Sequence, residues 1–318
     1  MKTKLLFTLI ILIEFFSSSS AQGTWIQKNA IYNGWDTQSN FHCSIGNKGY
    51  IGFSANPSYT YWYEFDPIAD IYIPKAILPD TATSGASIFS IAGNCYVLSN
   101  GNVGNRLWKY DPIADIWTNM LSNFPGQVRY GSYYFSIGSK GYIGGGKNLS
   151  GTTFQDFWEY NSITNLWAPL SNLPTANALG EAFSVNGKGY ITGGYVPNGP
   201  CPNTTNVYEF DPAFNLWTLK NNTPDGRYAA SSFVIGNDAY LGMGIVYDLI
   251  GNTAPNYSVL KYDYLLDSWQ QVADIPHVGI YDEGVGFSIN GKGYMGLGDC
   301  YSLVPPHCGI GYLKNIFD

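Results

Sequence analysis

The sequence predicts an all-β chain: six four-stranded units arranged as a ring. Three observations lead there. Short apolar and aromatic runs are separated by Gly, Asn and Asp-Pro turns, with no amphipathic stretch of helical period. The composition agrees, with 12 % charged residues, 16 % aromatics and 37 glycines, which favours strands and tight turns over helices. Most telling, a segment centred on Gly-Tyr recurs, placing Tyr50, Tyr96, Tyr142, Tyr190, Tyr240 and Tyr294 at spacings of 46, 46, 48, 50 and 54 residues.

The first two strands of each unit, a and b, flank that tyrosine. Phe135-Ser136-Ile137-Gly138-Ser139-Lys140 leads into Gly141-Tyr142-Ile143-Gly144, and Phe183-Ser184-Val185-Asn186-Gly187-Lys188 leads into Gly189-Tyr190-Ile191. The Gly-Ser and Asn-Gly pairs suit two-residue hairpin turns because both residue types tolerate positive φ. Strands c and d follow after a loop of variable length. Tyr110-Asp111-Pro112 leads to Trp117, Phe210-Asp211-Pro212 to Trp217, Phe65-Asp66-Pro67 to Tyr72, Tyr160-Asn161 to Trp167 and Tyr262-Asp263 to Trp269. Asp accepts from the turn backbone and Pro presets φ, so each pair starts a turn. A four-stranded unit repeated about every 50 residues cannot cover both its faces alone and must stack around an axis, as propeller blades do.

These motifs resemble the kelch family, whose signature is a glycine pair closing strand b and a Tyr-six-residues-Trp pair across strands c and d. Gly145-Gly146 and Gly193-Gly194 match the first; Tyr110 with Trp117, Tyr160 with Trp167 and Tyr262 with Trp269 match the second. Phe53-Ser54, Ser99-Asn100, Met243-Gly244 and Leu297-Gly298 stand where other copies would carry the glycine pair. The last unit has strand a over 285–289, strand b over 293–297 and strand c over 312–318, and stops before its Trp strand. Thr24-Trp25-Ile26 has such a Trp with no unit in front of it. The expectation is a six-bladed β-propeller over residues 22–318, closed by an N-terminal strand that completes the last blade.

Residues 1–21 read as a secretory signal peptide: Lys2 and Lys4, an apolar run from Leu5 to Phe16, then Ser19-Ser20-Ala21 before the cleavage point. That run is shorter than the roughly 20 residues needed to span a bilayer. The expected location is secreted, periplasmic or cell-surface, with no membrane span. Cys300 and Cys308 flank Pro305-Pro306 and are the favoured disulfide pair. Cys43 and Cys95 fall inside strands, where small buried hydrophobes would serve, and Cys201 lies in a Pro- and Gly-rich loop.

A formal net charge of -7 without a basic cluster excludes a nucleic-acid partner. Histidine occurs only as His42, His277 and His307, at no metal-ligand spacing, so neither metal nor cofactor is expected. The kelch family includes a copper oxidase acting on galactose, but too few histidines are present to extend that likeness. His42 is expected to be a satisfied structural residue. A six-bladed kelch enzyme that epimerises sialic acid is the closer architectural likeness, and it implies acid/base groups at the channel mouth.

The d-to-a and b-to-c loops gather at one face. Counting thirteen residues back from each strand-b tyrosine gives Thr37, Thr83, Arg129, Asn177, Arg227 and Tyr281. With their neighbours, the ligand-binding candidates are Arg129, Tyr130, Arg227, Tyr228, Asn177, Asp282, Glu283 and Trp35. Arg suits bidentate carboxylate contacts, and Tyr and Trp present flat faces to sugars. No catalytic residue is assigned. The expected function is a monomeric binding or interaction module for a protein or glycan. The alternative is a carbohydrate-active enzyme resembling sialic acid epimerases, with Arg129, Arg227 and Glu283 as its candidates.

Overall fold

The computed structural model describes residues 25–31, 40–56, 59–80, 85–101, 104–195, 203–247, 253–275, 284–296 and 311–316. Every regular element among the described residues is a β-strand. Strand β1 (Trp25–Ile31) opens the chain. Next, β2 (Asn40–Ile45), β3 (Lys48–Asn56), β4 (Tyr59–Asp66) and β5 (Ile71–Pro74) pair in sequence order as one antiparallel sheet. The pattern repeats in β6 (Ser87–Ile91), β7 (Asn94–Leu98), β8 (Leu107–Asp111) and β9 (Ile116–Asn119). It returns in β10 (Tyr133–Ile137), β11 (Lys140–Gly144), β12 (Phe157–Asn161) and β13 (Leu166–Pro169). A fourth copy uses β14 (Glu181–Val185), β15 (Lys188–Thr192), β16 (Val207–Asp211) and β17 (Leu216–Lys220). The fifth pairs β18 (Ser231–Ile235) and β19 (Asp238–Gly242) with later strands. Its b-to-c connection carries an unforeseen hairpin, β20 (Ile245–Tyr247) with β21 (Thr253–Pro255), before β22 (Ser258–Asp263) and β23 (Ser268–Asp274).

The chain is therefore an all-β propeller of four-stranded blades, five of them each complete within one stretch of sequence. The remaining strands, β24 (Val285–Ile289), β25 (Lys292–Gly296) and β26 (Gly311–Ile316), form a sheet to which β1 adds beyond β26. The expectation of six blades is met in part, since this last sheet draws on both ends of the chain. Its inner strand β24 touches both β18 and β2.

Blade-to-blade packing explains the Gly-Tyr motif. The glycine before the tyrosine has no room for a Cβ, because a phenylalanine from the preceding blade's inner strand fills that space. Phe89 covers Gly141, Phe135 covers Gly189, Phe233 covers Gly293 and Phe287 covers Gly49, each within 2.7 Å of the position a Cβ would take. Two junctions depart from this: Ala239 stands in the glycine position before Tyr240, and at the other both partners are replaced. Aligned on the tyrosines, Cys43 occupies the phenylalanine position and Cys95 the glycine position of the next blade, and the two form a disulfide with Cα atoms 6.5 Å apart. This corrects the reading of Cys43 and Cys95 as simple buried hydrophobes: a covalent bond replaces the aromatic plug. Cys201, Cys300 and Cys308 lie outside the described residues, as do residues 1–21.

The aromatic pair across strands c and d has an equally specific role. The indole Nε1 of Trp117, Trp167, Trp217 and Trp269 donates to the carbonyl of Ala76, Ser122, Ser171 and Asn221 respectively, each just past the outer strand of the preceding blade. Two residues before each Trp, Asp115, Asn165, Asn215 or Asp267 takes a positive φ, which Asp and Asn tolerate better than other side chains. Their side chains also reach back to the preceding blade, as Asp115 Oδ1 accepts from Ala76 N at 2.9 Å and Asp267 from Asn221 N at 3.1 Å. Each turn thereby ties a blade to its neighbour.

Candidate functional site

The inner strands enclose a central cavity of about 250 Å³. Five serines at one level of those strands line it, Ser44, Ser90, Ser136, Ser184 and Ser288. Above them lie His42, Tyr134, Glu181 and Ser232. His42, Tyr134 and Glu181 also line a second space of about 70 Å³ toward the loop face, walled by Gly85, Gly131, Gly180 and Gly284.

Two titratable groups in this channel are strongly perturbed. Glu181 Oε1 accepts from Ser232 Oγ at 2.7 Å. Burial pushes its carboxyl up to about 8, although the Ser232 bonds pull the other way, so it is neutral at pH 7 and has a proton to donate. Burial holds the His42 imidazole down to about 4, so it too is neutral. Its Nε2 accepts from Gly286 N at 3.0 Å, which leaves the proton on Nδ1, and Nδ1 has no partner. The expectation of a satisfied structural His42 thus holds for one ring nitrogen and fails for the other. Tyr134, raised above the usual phenol range by burial, is a neutral hydroxyl. The channel offers uncharged donors and acceptors from several blades, chemistry suited to hydroxyl-rich ligands. Counting eight residues back from the strand-b tyrosine finds His42, Tyr134 and Ser232; the sequence reading counted only to the loops.

The arginine candidates do something else. Arg129 makes two bonds of 2.7 Å to Asp156, donates to Gly145 O at 3.0 Å, and sits between the rings of Phe124 and Phe154 at 4.8 and 4.7 Å. Arg227 bonds Asp225 at 2.7 and 2.6 Å, Met243 O at 3.2 Å and Ser258 O at 3.0 Å. Asn177 Nδ2 donates to Gly193 O at 2.9 Å. All three are buried, and Gly145, Gly193 and Met243 each stand three residues past a strand-b tyrosine with positive φ. These side chains hold the carbonyl at the end of strand b. Asp156 shows the effect: burial alone would raise its carboxyl, yet the Arg129 hydrogen bonds and charge bring it below the ordinary range. The chain's third arginine, Arg106, lies 3.8 Å from Asp80.

Tyr130 and Tyr228 fare differently. Both are half-buried beside mouth residues Gly131 and Ala229. Tyr130 forms a backbone bridge with Lys147, whose ammonium lies 6.0 Å from the Tyr195 ring, while Tyr228 stacks on Tyr247 of β20 at 5.7 Å. Trp35, Asp282 and Glu283 lie outside the described residues.

No family model matches the chain. Among curated proteins, Kelch-like protein 23 of Pongo abelii is 23 % identical over 57 % of this chain and 34 % of its own length. N-acetylneuraminate epimerase of Shigella flexneri serotype 5b is 34 % identical over 40 % of this chain and 35 % of its length. N-acetylneuraminate epimerase 2 of Escherichia coli O6:H1 is 35 % identical over 39 % and 35 %. The aligned part of this chain thus spans about a third of the length of each. The solved structure of YjhT superposes with a TM-score of 0.71 over 88 % of this chain and 94 % of that one, at 16 % identity, a likeness of fold alone. Together with the Phe-on-Gly and Trp-to-carbonyl junctions, these likenesses support a kelch-repeat β-propeller family. In this kelch chain no group of three His, Cys, Asp or Glu is placed to hold a metal among the described residues, and no described helix is long and apolar enough to cross a membrane.

Proposed function

We propose that the chain is an exported recognition module that binds a glycan or a protein segment at the loop-bearing mouth of its channel. The observation that carries this reading is the rim of half-buried aromatics, Tyr130, Tyr195, Tyr228 and Tyr247 with Lys147, beside an opening that leads to neutral hydrogen-bonding groups. Tyrosine faces stack on sugars or apolar side chains while their hydroxyls stay wet. An inter-blade disulfide supports an oxidising compartment and so the export reading.

The same reading includes a closed ring of six blades, with β1 as outer strand of the last. Support comes from Asn29: its backbone N–H donates to Asp70 at 3.1 Å and its Nδ2 to Asp70 O at 2.8 Å. Asn221 makes the same pair of bonds with Asp267, 3.1 Å and 2.7 Å. Asn221 directly follows the outer strand β17, and Asn29 of β1 makes the same contacts.

An epimerase-like enzyme is the second reading, favoured by the names of the relatives and by the neutral Glu181 and His42 in the channel. Against it stands the engagement of the two buried arginines, Arg129 and Arg227, with carboxylates, which leaves only the partly exposed Arg106, 3.8 Å from Asp80, to clamp a sialic acid carboxylate. On a glycan array, saturable binding that disappears in Tyr195→Ala and Tyr228→Ala at unchanged melting temperature supports recognition. Turnover of N-acetylneuraminate that vanishes in Glu181→Gln supports the enzyme instead. Binding indifferent to both tyrosines contradicts the rim.

A further inference from the structure

The face opposite the loops carries a repeated feature that turn formation does not explain. In all five described c-to-d turns the tip is apolar and exposed: Ile68, Ile113, Ile163, Phe214, and Leu265 with Leu266, at 82, 97, 80, 78, 78 and 74 % exposure. The turns are built alike. Asp66, Asp111, Asn161, Asp211 and Asp263 each accept, through Oδ1, from the backbone N–H two residues on. That N–H belongs to Ile68, Ile113, Ile163, Ala213 and Leu265. Neither the cap nor the φ of these positions asks for a hydrophobic side chain, and a solvated turn would take a polar one at less cost. Single exposed apolar residues are ordinary, but here they recur at equivalent positions around one face.

We propose that this ring of turn tips is the surface on which a second copy of the chain stacks, face to face. Three observations select that partner. The tips are held by pseudo-symmetric blades on one face, so the ring meets a copy of itself in an isologous contact. The six side chains present on the order of the ~800 Å² per partner that a standard interface buries. Charge also permits it. The Asp66 and Asp211 carboxylates beside the tips are paired with Lys48 and Lys188, which lowers at the tips the repulsion that a formal charge of -7 sets against a second copy and an anionic lipid surface alike. This revises the expectation of a monomer and is independent of the loop-face reading.

Sedimentation velocity of the mature chain tests it. A concentration-dependent dimer is expected, and Ile113→Asp with Ile163→Asp should weaken it at least tenfold at an unchanged melting temperature. Leu121→Asp with Leu149→Asp, exposed residues outside the ring, should leave the dimer intact. A wild type that stays monomeric at its highest soluble concentration overturns the proposal, and so does a dimer that survives the ring substitutions. Co-sedimentation of a monomer with phosphatidylcholine vesicles, lost in the ring variant, overturns it in favour of a membrane. If the double variant misfolds, Ile113→Asn alone, at the most exposed tip, is read the same way.

Discussion

Arg227 is almost wholly buried, and its guanidinium is saturated by Asp225, two carbonyls and Ser258 Oγ. Removing it strands a partly buried carboxylate and unpairs those carbonyls. Arg227→Ala should therefore cost about 3 kcal/mol in chemical denaturation, the low end for a broken buried pair because Asp225 is 30 % exposed. Loss of ligand binding with stability intact would refute the structural reading. Glu181 gives a pH prediction. Its native pKa of about 8 lies above its unfolded value, so the native state holds the extra proton between about 4.5 and 8 and loses stability as pH rises through that window. Glu181→Gln should leave the melting temperature near wild type at pH 5 and raise it at pH 8; a constant offset contradicts this. Counting from the strand-b tyrosine located Arg129, Asn177 and Arg227 as equivalents, but a sequence does not show where a long side chain points. Inward, each meets a carbonyl that positive φ at the end of strand b leaves without a ladder partner.

At the scale of elements, strand order was readable because Gly-Tyr and the aromatic pair recur with the blade. The reasons for those motifs lie across the junctions, where a sequence read unit by unit cannot see them. The Cys43–Cys95 bond shows this. Cys43 and Cys95 are 52 residues apart and look unrelated until both are aligned on their tyrosines. Cys43→Ser should cost ~2–4 kcal/mol under oxidising conditions. The double variant Cys43→Phe/Cys95→Gly recreates the plug used at the other junctions and should recover most of that loss. A double variant no more stable than Cys43→Ala/Cys95→Gly would show that the plug does not carry the junction. Trp167→Phe, which removes the bond to Ser122 O while keeping a ring, should cost about 1 kcal/mol in the same denaturation experiment.

At the scale of the whole molecule, the loop face, the channel and the ring of turn tips all depend on blades held at fixed angles around one axis. The β1–β26 pairing, from Trp25↔Ile316 to Ile31↔Gly311, joins the two ends of the chain, and Asn29 bonds to Asp70 in the first blade. If that joint closes the ring, losing it frees an inner face on both sides of the gap. The most direct measurement is the melting temperature of a chain of residues 22–318 against one of residues 31–318. The closed ring predicts a fall many times larger than the ~2–4 °C per kcal/mol of a single side-chain change. An unchanged melting temperature would contradict it.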